Sequence, residues 1–199
     1  LTRYLPNACE AIIVKNVLFE LAKVTSKFYP NADLDYPDNS LKKPNKSKFP
    51  GVKFGNNVLI GKNVKISHGA VVKINCIIGD GSIIGSNTVI SNSILGENIY
   101  IGSNASIGQR GFGFFLSKSN INIYHIGKVL LQSKVSIGSG CTIDRGSFSD
   151  TVIGENTYLD NLCHVAHNVE IGNNSAFAAM TGIAGSAKIG NYVLTGGQT

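Results

Sequence analysis

The sequence predicts a mainly β chain wound as a parallel β-helix, and three observations carry that prediction. First, an aliphatic residue returns every six positions: Ile60, Ile66, Val72, Ile78, Ile84 and Ile90, then, after a one-residue slip, Leu95, Ile101 and Ile107. Leu131, Ile137 and Ile143 resume the phase, and Ile153, Leu159, Val165, Ile171, Phe177, Ile183 and Ile189 carry it almost to the end. Second, the residue two before each slot is small or aliphatic, as at Ala70, Cys76, Thr88, Cys141, Cys163 and Thr181. Side chains two apart on a strand share a face, so each wall offers one large and one small inward residue. Third, Asn or Gly recurs three after a slot, at Asn63, Gly81, Asn87, Asn98, Asn104, Gly140, Asn156, Asn168 and Asn174. These residues tolerate the left-handed backbone that tight corners need. Three hexapeptides then make one coil of about 18 residues.

Taken in order, residues 1–30 lie outside the repeat. Glu10–Lys15 reads as a strand, and Asn16 can cap a helix over Val17–Phe28. Val17, Leu18, Leu21, Val24 and Phe28 would share one face of it. The piece is too small for a core of its own and is expected to be the end of a larger N-terminal domain. Residues 31–50 carry Pro37, Pro44 and Pro50 among Asn, Asp, Lys and Ser, the chemistry of a linker. Residues 51–199 are solenoid, with a truncated C-terminal end expected because no capping segment follows the last slot.

The repeat breaks twice. Residues 108–130, opening with Gly108-Gln109-Arg110-Gly111-Phe112-Gly113-Phe114, form a long excursion, and a four-residue insertion falls between Thr142 and Thr151. Breaks of this kind are where loops leave a solenoid and where function concentrates.

Composition narrows the class. The chain has 199 residues, 23 glycines, no tryptophan and a mean hydropathy of +0.10. No apolar run is long enough to cross a membrane, and no secretory signal pattern opens the chain. Of Cys9, Cys76, Cys141 and Cys163, the last three sit in the small inward slot. They read as core fillers in a reducing, cytoplasmic setting rather than as a metal or redox set. The net charge of +6 is spread among scattered lysines, with no nucleic-acid motif.

Few residues can carry chemistry. His68 and His125 read as ordinary surface or core histidines. The stretch Leu159-Asp160-Asn161-Leu162-Cys163-His164-Val165-Ala166-His167-Asn168 is richer. Asp160 lies seven residues before His167, a spacing that can set a carboxylate beside an imidazole around one corner. A carboxylate on one ring nitrogen leaves the other as a general base. Gly185 lies 18 residues after His167, one coil on, where its backbone N–H can face an oxyanion. A structural Asp–His pair fits the same spacing.

At these residues the chain resembles a known family. Thr142-Ile143-Asp144-Arg145-Gly146, Leu159-Asp160-Asn161, Val165-Ala166-His167-Asn168-Val169-Glu170-Ile171-Gly172, Ile183-Ala184-Gly185-Ser186 and Gly196-Gly197 are similar to the UDP-3-O-(3-hydroxyacyl)glucosamine N-acyltransferases of lipid A biosynthesis. The Gly111-Phe112-Gly113-Phe114 and Tyr124-His125-Ile126-Gly127 stretches resemble that family's long insertion, and residues 1–30 the end of its uridine-binding domain.

The resemblance implies a left-handed parallel β-helix, a homotrimer with active sites between subunits, and a Gram-negative, cytoplasmic lipopolysaccharide pathway. It implies transfer of a 3-hydroxyacyl chain from acyl carrier protein to the 2-amino group of a UDP-linked 3-O-acylglucosamine, with no metal or other cofactor. His167 matches the catalytic base, Asp160 its supporting carboxylate and Gly185 the oxyanion donor. The resemblance puts the uracil-binding aromatics, a second active-site histidine and a C-terminal helical segment outside this chain. Two positions depart from the pattern: His164 stands where the family has glutamine, and Arg110 where it has an acidic residue. His164 precedes an inward slot and is expected to point outward, at the periphery. Three rivals stay open: the sister UDP-N-acetylglucosamine O-acyltransferase, a γ-class carbonic anhydrase with three zinc-binding histidines, and a non-catalytic solenoid.

Overall fold

The structure, a computed structural model, describes residues 5, 6, 8–32, 41, 48–116, 118 and 120–199. Pro37, Pro44 and most of the expected linker over 31–50 lie outside the described residues. From Lys53 to Thr195 the chain winds through short strands that stack into three parallel seven-stranded sheets. The first wall runs from Lys53–Phe54 through Ser106–Gln109, Thr142–Asp144 and His164–Val165 to Gly182–Ile183. The second runs from Leu59–Ile60 to Lys188–Ile189, and the third from Lys65–Ile66 to Leu194–Thr195.

The register follows from the hexapeptide phase. Ile90, Ile107, Ile143, Val165 and Ile183 are in line on the first wall, because each slot pairs with the slot one coil away. These residues are buried, as are the small partners Ala70, Cys76, Ser82, Thr88, Cys141 and Cys163. Buried hydroxyls are satisfied by turn carbonyls: Thr88 Oγ1 donates to Gly102 O at 2.8 Å, and Thr157 Oγ1 to Gly172 O at 2.9 Å. Burial pushes the Cys141 thiol up to about 11 and the Cys163 thiol upward as well. Protonated thiols of this kind suit a packing role, not a nucleophilic one.

All nine predicted corner residues have positive φ, from Asn63 at 55° to Gly81 at 71°. Lys134, Leu162, Met180, Ser186, Tyr192 and Gln198 adopt the same angle without a favoured side chain. There the stacking of whole coils outweighs a local cost of about 1–2 kcal/mol per residue.

The helix forms over Val17–Phe28, with the Asn16 side chain accepting from Phe19 N as its cap. One expectation for this region fails. Glu10–Lys15 is irregular, with Ile12 and Ile13 exposed, because no neighbouring strand among the described residues pairs with it. The face carrying Val17, Leu18, Val24 and Phe28 is also exposed. The helix instead buries Ala22 and Thr25, and Phe19 meets Phe115 edge-on with centroids 5.6 Å apart.

The long excursion is where the helix docks. It folds back on itself as an antiparallel pair, Phe114–Phe115 against Ile121–Asn122. It leaves the first wall after Gln109 and rejoins the second wall at Val129–Leu131. The shorter insertion leaves after Asp144 and returns at Thr151, along the same edge. Two loops and the corner after Val165 therefore share one edge of the prism, and the candidate site lies there.

Candidate active site

His167 occupies the corner that follows the first-wall strand His164–Val165. Gly185 occupies the same corner one coil on. Backbone bonds from Ala166 N to Ile183 O, 3.0 Å, and from Ser186 N to His167 O, 2.8 Å, hold the two coils together and flank the Gly185 amide. A Cβ added at Gly185 would lie 2.9 Å from both Cε1 and Nε2 of His167. Glycine is required here by the closeness of the ring, and its bare backbone faces the Nε2 side of the imidazole. The pairing of His167 with Gly185 that the spacing predicts is therefore made.

The pairing of His167 with Asp160 is not made within one chain. Asp160 Oδ1 accepts from the Asn161 backbone N at 2.7 Å and from Asn161 Nδ2 at 2.9 Å. It lines a cleft of about 480 Å³ on the third wall, with Tyr100, Tyr158, Ala176 and Leu194. The reason is geometric: Asp160 opens the corner before the first wall and His167 opens the corner after it. A strand of the prism separates them, whatever their nearness in sequence. The acceptor beside His167 Nδ1 is Asn168 Oδ1, at 2.9 Å.

His167 and Gly185 line a cleft of about 420 Å³ with Phe112, Asp144, His164 and Ala184. His164 points outward, as its place in the repeat predicts, but it faces this cleft and is not peripheral to it. Its Nδ1 is 2.7 Å from Thr142 Oγ1 and its Nε2 is 3.9 Å from Asp144 Oδ2. Asp144 is buried, and its Oδ1 accepts from Gln109 Nε2 at 3.1 Å, while Gln109 Oε1 accepts from Ser106 Oγ. A polar string thus runs along the outer face of the first wall to the cleft. Arg110, at the start of the excursion, is exposed.

The excursion closes the site from the side. His125 is fully buried, as a core histidine would be, but it packs on the candidate base: its ring centroid is 5.2 Å from that of His167. A Cβ at Gly111 would lie 3.0 Å from both His125 Nε2 and His167 Cβ, and one at Gly113 would lie 2.5 Å from His125 Cε1. The two glycines let the backbone wrap both rings and leave Phe112 exposed at the mouth of the cleft. A Gly113→Ala change is expected to lower stability by about 1–3 kcal/mol, the usual cost of overpacking a filled site. A reduced melting temperature measures it; an unchanged one means that the loop has slack.

Sequence reasoning missed Asp144, Phe112, Asn168 and the closeness of His125. Asp144 and Asn168 had a usable signal, since counting register through the insertion puts Thr142 beside His164. His125 had none, because an excursion erases the repeat that would place it. Among the described residues, no group of three His, Cys, Asp or Glu side chains converges in a way that could hold a metal ion. No helix is long and apolar enough to cross a membrane, again among the described residues.

Comparison with known proteins follows the same lines. Residues 38–121 match the pattern of the GMPPB C-terminal domain, and residues 150–185 that of the bacterial transferase hexapeptide (six repeats). A UDP-3-O-acylglucosamine N-acyltransferase from Methylobacterium nodulans is 46% identical over 92 residues, which is 46% of this chain and 26% of that protein. UDP-3-O-acylglucosamine N-acyltransferase 2 of Sulfurimonas denitrificans is 45% identical over 94 residues, 46% of this chain and 30% of that protein. The match thus spans between a quarter and a third of these relatives. Among solved structures, LpxA from Acinetobacter baumannii superposes with a TM-score of 0.64 at 24% identity, covering 74% of this chain and 56% of that one. UDP-N-acetylglucosamine acyltransferase from Campylobacter jejuni gives 0.58 at 23%, covering 73% and 53%. The resemblance read from the motifs holds, in relatives that bear the N-acyltransferase name. The fold class is that of the left-handed parallel β-helix.

Proposed function

We propose that the chain is the β-helical part of an N-acyltransferase that moves a 3-hydroxyacyl chain from acyl carrier protein to the 2-amino group of UDP-3-O-(3-hydroxyacyl)glucosamine, in lipid A biosynthesis. One observation carries the reading: an imidazole whose Nε2 side lies against a bare glycine backbone in an open cleft. Acyl transfer needs those two groups at one point. As the amine nitrogen attacks the thioester carbon, His167 Nε2 takes its proton and the Gly185 N–H donates to the oxygen that gains charge. When the carbon–sulfur bond breaks, the imidazolium returns the proton to the leaving thiolate, and the amide is formed. His164 and Asp144 stand along the cleft where a sugar hydroxyl would lie. The named relatives support the amine acceptor.

In this reading residues 1–30 end a uridine-binding domain, 31–50 link it to the prism and 51–199 form the acyltransferase domain. The assembly is a homotrimer in the cytoplasm. The third wall supports it, because Tyr100, Tyr158 and Leu194 are exposed beside the Asp160 cleft. An apolar outer face of that kind suits burial against a second copy. Asp160 can support His167 only across such an interface, each copy lending its carboxylate to the next. Sedimentation of the chain at micromolar concentration is expected to give a trimer; a monomer defeats the shared-site reading. The activity test offers the full-length protein carrier-bound 3-hydroxyacyl donor with either acceptor. Acylation of the amino sugar supports the proposal, and acylation of the UDP-N-acetylglucosamine hydroxyl alone replaces it with the sister reaction.

A further inference from the structure

We infer that Asn168, held by the short insertion loop, is the positioning residue that sets the tautomer of His167. The inference deepens the general-base reading and rests on it for its catalytic meaning. The orientation of the Asn168 amide is fixed by its neighbours. Asn168 Nδ2 lies 3.0 Å from the Ser149 carbonyl oxygen, which can only accept, so this end of the amide is the NH₂. Asn168 Oδ1 lies 3.1 Å from the Ser147 backbone N, which can only donate, so that end is the oxygen. Two backbone groups of opposite character therefore exclude the flipped amide. Ser147 Oγ, 2.6 Å from Oδ1, and Ser149 Oγ, 2.8 Å from Nδ2, add to the lock.

His167 Nδ1 is 2.9 Å from the same Oδ1. An amide oxygen cannot donate, so Nδ1 carries the hydrogen and Nε2, the nitrogen facing Gly185, keeps the lone pair. The base is thus poised in the required neutral tautomer by a neutral partner, with no carboxylate of its own chain. Asn168 also holds the corner at φ 61° and accepts a main-chain role there, its N–H donating to Thr151 Oγ1 at 2.9 Å. The insertion between Asp144 and Thr151, which the repeat does not need, has a function here: it supplies Ser147 and Ser149.

Selective ¹⁵N-histidine labelling of the chain tests this without any assay of turnover. At a pH where His167 is neutral, its Nδ1 is expected to show the protonated signature and its Nε2 the unprotonated one. The reverse pattern overturns the inference. An Asn168→Gly change keeps the left-handed corner and removes the acceptor. It is expected to mix the two tautomers and, in the full-length enzyme, to lower kcat roughly 10- to 100-fold with little change in KM, the scale for losing a group that orients a histidine. An unchanged tautomer and kcat overturn it. Asn168→Asp sets a carboxylate on Nδ1–H and is expected to move the acid limb of the kcat/KM profile up by about 1 unit or more. Among the described residues of the same chain, the other titratable groups facing His167 are His125, packed on its ring, and Asp144 and His164 in the cleft; the second copy of the proposed trimer would add Asp160. None of them changes in that variant, so an unmoved acid limb also counts against the inference. A failed base reading is told apart by His167→Ala, which would then retain activity, while the ¹⁵N pattern of the unsubstituted chain still reports the tautomer.

Discussion

Replacing His167 by alanine in the full-length enzyme is expected to lower turnover by at least ~10², the usual contribution of a positioned general base. KM for the UDP-sugar is expected to change little, because the nucleotide contacts lie elsewhere in the proposed domain organisation. The size of the effect follows from geometry. His167 alone among the cleft histidines has its ring on Gly185, so no neighbour can take over the proton at that point. His164 is bonded to Thr142 and turned toward Asp144, and its loss should disturb binding in the cleft more than proton transfer. Asp160→Ala should fall between them if a second copy brings that carboxylate to the base, and should be silent in a monomer. Steady-state kinetics of the three variants measure the order. A loss from His164→Ala equal to that from His167→Ala would refute the single-base assignment.

Most of the fold was legible because a solenoid repeats one physical problem. Every coil must fill the same narrow interior, so Ile84, Ile101 and Ile137 recur in phase and expose the rule. The helix was legible to the residue, since Asn16 is a side chain that can cap and Val17–Phe28 keeps an apolar period. Its burial was not. Most of the apolar stripe is exposed, with Leu21 half-buried, and the contact made through Phe19 depends on a hairpin that no local pattern forecasts.

The site was legible only where it obeyed the repeat. Gly185 follows His167 by one regular coil, and simple counting joined them. Asp160 was misplaced because proximity in sequence was taken as proximity around a corner, when a strand of the wall intervenes. His164 was correctly turned outward, but the outer face of the first wall is itself part of the cleft. His125 lay inside an excursion where no period constrains position. The two glycines that wrap it, Gly111 and Gly113, were visible as a cluster, and their meaning needed the ring they enclose.

The second large effect concerns Gly185, where two roles must be separated. Gly185→Pro deletes the N–H and is expected to cut turnover roughly 10²–10³-fold, the scale for losing one oxyanion donor. Proline also adds a Cβ, and any Cβ here would sit 2.9 Å from His167 Cε1 and Nε2. Gly185→Ala supplies that crowding with the amide intact. It should push the imidazole from its seat and lower turnover by a smaller factor, because the ring has an open cleft to shift into. The loss in the proline variant beyond that in the alanine variant is the share of the N–H. Equal losses would mean that Gly185 serves as a spacer for the base and that the oxyanion is held by another donor. A folded proline variant with normal turnover would remove the residue from the chemistry altogether. The corner offers a reason to expect the first outcome: bonds from Ala166 and Ser186 join the coils on either side of Gly185, and the glycine lies against the Cε1–Nε2 edge of His167.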